Sequence, residues 1–256
     1  MDAASLDALL ARAAETISKA RFLTAFTGAG ISVESGIPPF RGDGGVWDRY
    51  DPSILDLDVF RRHPERSWPA IKAMFTSFLG TDGRTPVQPN PAHVVLAKWE
   101  NAGLLKGTVT QNIDGLHAAA GSRRLVEYHG HCRTLSCLRC GRRLPLNAET
   151  TADPVPRCTC GGLLKPDFIF FGEGIPPDAM EESERLAGST DCMILVGTSG
   201  VVYPAAGVPV LAKRRGATII EVNPSPSDYT GRITDLFLPL KAGDAFTRLD
   251  ALVHAG

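Results

Sequence analysis

Apolar residues along this chain gather into short runs, separated by polar breaks rich in glycine and proline. The runs RFLTAF, LLKGTVT, CMILV, ATIIEV and KPDFIFF are β-rich and near-continuously apolar. Such runs predict strands covered on both faces. Helical patterns lie between several of them, for example PAHVVLAKWENAG and YPAAGVPVLAKRRGA. At the amino end Leu6, Leu9, Leu10, Ala13, Ala14 and Ile17 recur at helical spacing, predicting an amphipathic helix docked on a core. Strands alternating with helices predict an α/β fold built on a parallel sheet with crossovers.

Each run ends in a small polar cluster. RFLTAF ends in Thr27-Gly28-Ala29-Gly30, LLKGTVT in Gln111-Asn112-Ile113-Asp114, and CMILV in Gly197-Thr198-Ser199. ATIIEV ends in Asn223-Pro224-Ser225 and KPDFIFF in Gly172-Glu173. Parallel sheets bind ligands outside the carboxyl ends of their strands, so the clusters predict a crevice there, although such residues also populate ordinary turns. Two segments leave the alternation. Residues 43–90 carry Trp47, Tyr50, Phe60, Trp68, Phe75 and Phe78 among charges and prolines, and predict a side module of short helices. Residues 131–164 hold most of the cysteines.

Composition adds exclusions. The chain has 256 residues, 43% hydrophobic and 21% charged, with a net charge of -1. No basic stripe supports a nucleic-acid partner, and no apolar run approaches the roughly 20 residues of a membrane helix. MDAASLDALLARAAETISKA lacks the basic flank and apolar core of a signal peptide. The expected setting is therefore a reducing, cytoplasmic compartment, where the six cysteines serve as thiols or metal ligands.

Cys137 and Cys140 form CLRC, and Cys158 and Cys160 form CTC before Gly161-Gly162. Two close cysteine pairs suit one tetrahedral zinc, which would staple a module with little core of its own. The second pair has a single intervening residue and calls for a tighter turn. Cys132 stays open as a substitute ligand, its alternative being a partly buried thiol; Cys192 begins an apolar strand and reads as core. Four thiolates leave no open position, so the zinc is expected to be structural rather than catalytic.

The loop GAGISVESGIPPFRG follows a strand-like run, as a phosphate cradle does. Gly28 and Gly30 are expected to let the backbone approach a pyrophosphate, with their N–H groups facing the anion. The third glycine of the dinucleotide fingerprint is missing, since Val33 stands there, and Pro38 and Pro39 are expected to break the helix almost at once. No acidic residue about 20 positions past Gly30 is placed to grip a ribose, because Asp48 and Asp51 fall in the side module.

With TQNIDGLH, the His-Gly of EYHGHC, the cysteine pairs, KPDFIFFGE, GTS and VNPS added in that order, the chain resembles the sirtuin family of NAD-dependent protein deacylases over nearly its whole length. The resemblance implies a Rossmann-like NAD-binding domain of residues 1–42, 91–130 and 165–256, with a helical side module (43–90) and an inserted zinc-binding module (131–164). It implies that His129 is the general base, with Asn112 and Asp114 completing the catalytic set. In the family an acyl oxygen attacks C1′ of the nicotinamide ribose; the base then frees a ribose hydroxyl to attack the acyl carbon, giving lysine, nicotinamide and acyl-ADP-ribose. Imidazole suits that task. His131 is the rival, because in an extended segment both rings point the same way.

The resemblance further implies that Asp114 and the Ile113 backbone hold the nicotinamide carboxamide, that Asn112 orients the ribose and a water, and that Gln111 contacts ribose hydroxyls. An Asx turn capping the helix near Gly115 is the alternative for this cluster. Gly28, Ala29, Gly30, Ile31, Ser32, Phe40, Arg41 and Trp47 are expected along the cofactor. Gly197, Thr198, Ser199, Asn223, Pro224 and Ser225 are expected at its adenosine half, with Ala242 near the adenine. The loop of Pro38, Pro39, Phe40 and Arg41 matches one that closes over the nicotinamide ribose in the family; the second proline, Pro39, is expected to stiffen it. His63, His93, His117 and His254 read as surface or satisfied packing histidines.

Gly172 and Glu173, with Val201, Val202 and Tyr203, match the two edges that clamp a substrate peptide as an added strand in the family, and Phe171 is expected to wall an apolar tunnel for the acyl-lysine. Ile71 and Met74 stand where relatives that prefer acidic acyl groups carry Tyr and Arg, so acetyl or a longer uncharged chain is expected over succinyl. Gly200 is expected to widen the acyl tunnel. Short ends point to a monomer. Competing readings are ADP-ribosyl transfer or NAD hydrolysis at the same site, and a non-catalytic NAD-binding module.

Overall fold

The computed structural model describes residues 2–39, 45, 48, 50–79 and 87–253, with residues 77–79 as backbone only. Helix α1 (Ala3–Lys19) and strand β1 (Leu23–Thr27) lead into a 3-10 segment, Ala29–Ser35. Then follow α2 (Leu57–Arg62), α3 (Pro64–Leu79), α4 (Pro91–Asn101), β2 (Leu105–Thr110), α5 (Leu116–Ala119) and β3 (Leu125–Glu127). Next come β4 (Gly130–Cys137), β5 (Arg143–Pro145), β6 (Leu164–Phe168), α6 (Pro177–Ser189) and β7 (Cys192–Val196). The chain ends with α7 (Gly207–Arg214), β8 (Thr218–Val222), β9 (Leu236–Leu238) and α8 (Ala242–Val253).

Six strands form a parallel sheet in the order β3-β2-β1-β7-β8-β9. Its middle strands are the predicted apolar runs, and β1 and β7 are buried at every residue. Helices cover both faces, which is why these strands carry no polar alternation. On one face α1, α4 and α8 pack Leu10, Ile17, Leu96, Trp99 and Phe246 onto Leu23, Ile194 and Ile220. On the other, α6 and α7 pack Leu186 and Ala212 onto Phe26, Val109, Met193 and Ile219. The predicted stripe on α1 is buried at Leu10, Ala13, Ala14 and Ile17, while Leu6 and Leu9 are half-buried at its edge. Asp2 opens that helix, accepting the Ser5 N–H at 2.8 Å.

KPDFIFF departs from its expected place. Its first half is β6, which pairs antiparallel with β4 in a separate three-stranded sheet, β5-β4-β6. Both sheets bury apolar strands, so apolar continuity alone does not assign a strand to one of them. The side-module helices join this small sheet in a third core, where Phe60, Trp68, Ile71 and Phe75 meet Leu135, Leu164, Phe168 and Phe170. Phe60 packs edge-on to Phe170 with ring centroids 5.0 Å apart. Backbone bonds from Leu57 N–H to the Phe171 carbonyl (2.9 Å) and from Phe171 N–H to the Leu55 carbonyl (2.8 Å) tie the two segments. No helix among the described residues is long and apolar enough to cross a membrane.

Candidate active site

The carboxyl ends of β1, β2, β7 and β8 open into one cavity of about 840 Å³. From the strand ends it is lined by Gly28, Ala29 and Gly30, by Gln111, Asn112 and Ile113, by Gly197, Thr198 and Ser199, and by Asn223, Pro224 and Ser225. His129, Pro39 and Leu55 also face it, and Phe168 through Glu173 close the opposite wall. Val201, Val202 and Tyr203 complete the rim, with Tyr203 70% exposed. Ile31, Ser32, Asp114 and Ala242 do not line the cavity; Phe40, Arg41 and Trp47 lie outside the described residues, as do His254 and the Phe78 side chain.

The glycines of the first loop serve a purpose the sequence did not signal. The Gly28 N–H donates to the Val196 carbonyl at 3.0 Å and the Gly30 N–H to the Gly197 carbonyl at 2.8 Å. Both donors expected to face an anion are thus spent on the neighbouring strand. A Cβ on Gly30 would come within 2.6 Å of the Gly197 Cα, so these residues let two backbones touch. The helical stretch also ends earlier than the prolines imply. Gly36, at φ 94°, stops it and donates its N–H to the Val33 carbonyl at 2.9 Å.

His129 is half-buried between β3 and β4. Its Nδ1 lies 3.1 Å from the Gln111 carbonyl oxygen, an acceptor only, so the proton sits on Nδ1 and Nε2 keeps a free lone pair. Burial lowers its pKa below the ordinary histidine value, opposed by the Gln111 bond. Gly130 separates it from His131. With φ 72° it breaks the extended alternation on which the rivalry of the two rings rested, and a Cβ there would meet the Asp167 carbonyl at 2.2 Å. His131 is absent from the cavity lining, and its Nδ1 accepts the Arg133 N–H at 3.3 Å.

Behind the cavity, Ser32 Oγ donates to Asp114 Oδ2 at 2.7 Å, and Asn112 Nδ2 reaches both Ser32 Oγ (3.2 Å) and the Gly28 carbonyl (3.1 Å). Asp114 also caps α5 by accepting the Leu116 N–H at 2.9 Å, so the capping alternative holds alongside any other role. Burial raises its pKa. His93 and His117 are buried beneath this group, rings 4.8 Å apart, and His117 Nε2 meets Thr27 Oγ1 at 2.9 Å. Both are buried packing residues, but the Nδ1 of each has no partner among the described residues, so neither is the fully satisfied histidine expected; His63 is surface-exposed.

The four cysteine sulfurs of Cys137, Cys140, Cys158 and Cys160 lie within 4.8 Å of one another. The tight CTC turn is closed by Cys158 N–H to the Gly162 carbonyl (2.8 Å) and by Gly161 at φ 82°. A Cβ on Gly162 would stand 2.5 Å from Cys137 Sγ, so glycine keeps the cradle open. Four thiols in a closed set fit one structural zinc. Cys132, buried apart from this set, is not in it, and Cys192 is core.

Two charged residues escaped the sequence reading. Lys165 is buried in β6; its Nζ bonds the Pro166 and Phe168 carbonyls at 2.8 Å each and pairs with Glu173 Oε2 at 3.0 Å, fixing the Phe168–Glu173 wall. Glu221 is buried in β8. The available signal was a charge inside an apolar run: Glu221 alone in ATIIEV, and Lys165 with Asp167 in KPDFIFF. Gly200 does not widen the cavity; at φ 76° it packs against the Tyr229 ring, 3.0 Å from an added Cβ. Ile71 and Met74 are buried in the side-module core rather than in the cavity wall.

A family model described as "Sir2 family" matches residues 28–204. An NAD-dependent protein deacylase of Thermococcus kodakarensis is 44% identical over 249 residues, 94% of each chain. One of Aeropyrum pernix is 44% identical over 238 residues, covering 92% of this chain and 94% of that one. A solved Sir2 complex with a p53 peptide and NAD+ superimposes with a TM-score of 0.86 at 33% identity, covering 96% and 98% of the two chains. A Sir2 homologue–NAD complex does so with 0.84 at 38% identity over 95% and 94%.

Proposed function

The chain belongs to the Sir2 family, and from that premise we propose how its residues divide the work of an NAD-dependent protein-lysine deacylase. The enzyme removes acyl groups from lysine side chains and transfers them to ADP-ribose with release of nicotinamide. The observation that carries the assignment of roles is the His129 ring, with Nδ1–H spent on the Gln111 carbonyl and its basic Nε2 left to the cavity.

NAD, consumed in the reaction, supplies the ribose carbon that receives the acyl oxygen. His129 takes the proton from a ribose hydroxyl; its lowered pKa keeps the ring neutral, as a base must be. Asn112, its amide tied to Gly28 and Ser32, orients the ribose and a water. Asp114 stands just behind the cavity lining, held by Ser32 and Leu116; on NAD binding its remaining acceptor positions take the nicotinamide carboxamide beside the Ile113 backbone, which faces the cavity. Gln111, held by Thr198 Oγ1 at 3.0 Å, serves the ribose hydroxyls. Thr198, Ser199 and Asn223 hold the adenosine half. Cys137, Cys140, Cys158 and Cys160 hold one zinc, which supplies structure and no chemistry.

The acyl-lysine enters between Phe171–Glu173 and Val201–Tyr203. Leu55, Ile113, Phe168, Phe170 and Ile175 give its path an apolar lining, and no lysine or arginine stands among the described lining residues. A succinyl carboxylate would find no cation in the described lining, since Lys165 is buried behind it and already paired with Glu173, so acetyl or longer uncharged chains are favoured. The net charge of -1 fits a protein without a nucleic-acid partner, and the thiol cluster fits a reducing compartment such as the cytoplasm.

The test is to incubate the protein with NAD and peptides carrying acetyl-, longer-chain acyl- or succinyl-lysine, and to weigh the products. Acyl-ADP-ribose and a deacylated peptide are expected, with acetyl turned over faster than succinyl. A peptide gaining ADP-ribose, or NAD consumed without peptide change, overturns the reading.

A further inference from the structure

The apolar strand β8 holds one charged residue, Glu221, with no exposed surface. Four neutral donors serve its carboxylate. Asn223 Nδ2 and Ser227 Oγ donate to Oε1 at 3.0 and 2.5 Å, and the Thr230 and Thr234 hydroxyls donate to Oε2 at 2.8 and 2.6 Å. Four donors fill the acceptor capacity of a carboxylate. The backbone helps to set two of these directions. Ser227 Oγ already accepts the Tyr229 N–H at 3.1 Å, and Thr230 Oγ1 accepts the Ser227 N–H at 2.9 Å, so each hydroxyl turns its own proton to Glu221.

Asn223 inherits a fixed orientation from this arrangement. Its amide nitrogen also donates to the Thr198 carbonyl at 3.1 Å. A carboxylate and a carbonyl only accept, so both amide protons are committed and the amide cannot flip. Oδ1 is then the only side-chain atom Asn223 can offer to a ligand in the cavity it lines.

We propose that Glu221 is a positioning residue that sets which ribose the adenosine end takes: by holding Asn223 as an acceptor, it selects an unmodified ribose, whose hydroxyls donate, and refuses one carrying a phosphate. Phosphate oxygens only accept, and their charge would face Oδ1 with the Glu221 carboxylate behind it. This rests on reading the strand-end cavity as the NAD site, and extends that reading to exclusion of the 2′-phosphorylated cofactor. It also answers the missing acidic residue after the first loop. An acid is present, but it sits at the end of another strand and acts through an asparagine.

Calorimetric binding of ADP-ribose and of its 2′-phosphate to the intact protein tests this. The unmodified protein should prefer ADP-ribose by about a hundredfold or more. In Glu221→Gln, where an amide replaces one acceptor and frees Asn223 to turn, the preference should shrink about tenfold. Thr234→Val removes a single donor at nearly constant volume and should shrink it severalfold, which covers the case in which Glu221→Gln does not fold. Equal binding of both ligands by the unmodified protein overturns the proposal, and so does an unchanged ratio in the variants, which would mark Glu221 as merely structural. Failure to bind ADP-ribose at all would instead remove the NAD reading on which it stands.

Discussion

The two walls of the cavity are held by different means. At the strand ends, backbone is pinned to backbone: Gly30 N–H to the Gly197 carbonyl (2.8 Å), Gln111 N–H to the Thr27 carbonyl (2.9 Å) and Asn223 N–H to the Leu238 carbonyl (3.3 Å). These contacts extend a six-stranded sheet with a core on each face. The opposite wall, Phe168–Glu173, continues from β6, in a three-stranded sheet whose core includes Cys137 and Cys158. On the proposed reading, the wall assigned to the cofactor is held by the six-stranded sheet itself, while the wall assigned to the acyl chain would depend on the cysteine staple. Perturbations should separate the two.

Removing zinc should give the largest effect. Structural zinc contributes on the order of 10 kcal/mol of folding free energy to modules of this kind. Chelation, or Cys140→Ala, should abolish acyl-peptide turnover by unseating the acyl wall, while calorimetric ADP-ribose binding at the strand ends persists. Loss of both together would break the comparison. Hydrogen exchange should show opening concentrated in β4, β5 and β6 rather than in β1 and β7.

His129→Ala comes next, with kcat expected to fall by about 10²–10⁴-fold as a general base is lost. The pH profile sharpens the assignment. In the unmodified enzyme kcat/KM should fall with acidity below the lowered pKa of His129, because protonation removes the base. The variant's residual activity should lack that limb. An acid limb that survives the substitution assigns it to another group.

The strand-end wall was readable in the sequence because each piece is local. An apolar run ends and a polar cluster follows, at β1, β2, β7 and β8 alike. KPDFIFF shows the limit of that reasoning. A buried strand looks the same in either sheet, and only pairing with β4 decides. The edge strands β3 and β9 have three residues each, too few to form a pattern. Gly30 is expected from the sequence to approach a pyrophosphate; the close contact the structure shows is with Gly197, 167 residues away, and no local spacing announces it. Lys165 and Glu221 were passed over for a related reason. A charge inside an apolar run signals burial with partners, yet the partners come from the folded chain.

The smallest of these effects belongs to the strand-end wall alone. His93 is buried against His117, and the Nδ1 atom of each has no hydrogen-bond partner among the described residues. A charged ring there would be unpaired, and burial lowers the His93 pKa from the ordinary value of 6.5 to about 4. Between those values the unfolded chain binds a proton that the folded chain refuses. Stability from the neutral ring is therefore complete above pH 6.5 and is lost as pH falls towards 4, by about 3 kcal/mol in all. His117, also shifted down by burial, pulls the same way. Acid additionally protonates the zinc thiolates, so the unmodified protein mixes both walls in one curve. His93→Gln separates them. Urea unfolding from pH 7.5 to 4.5 should show a shallower decline in the variant, by about one proton's worth of slope, while the zinc-dependent part remains. An identical slope would place the whole acid sensitivity in the stapled wall and remove the buried histidine from the account.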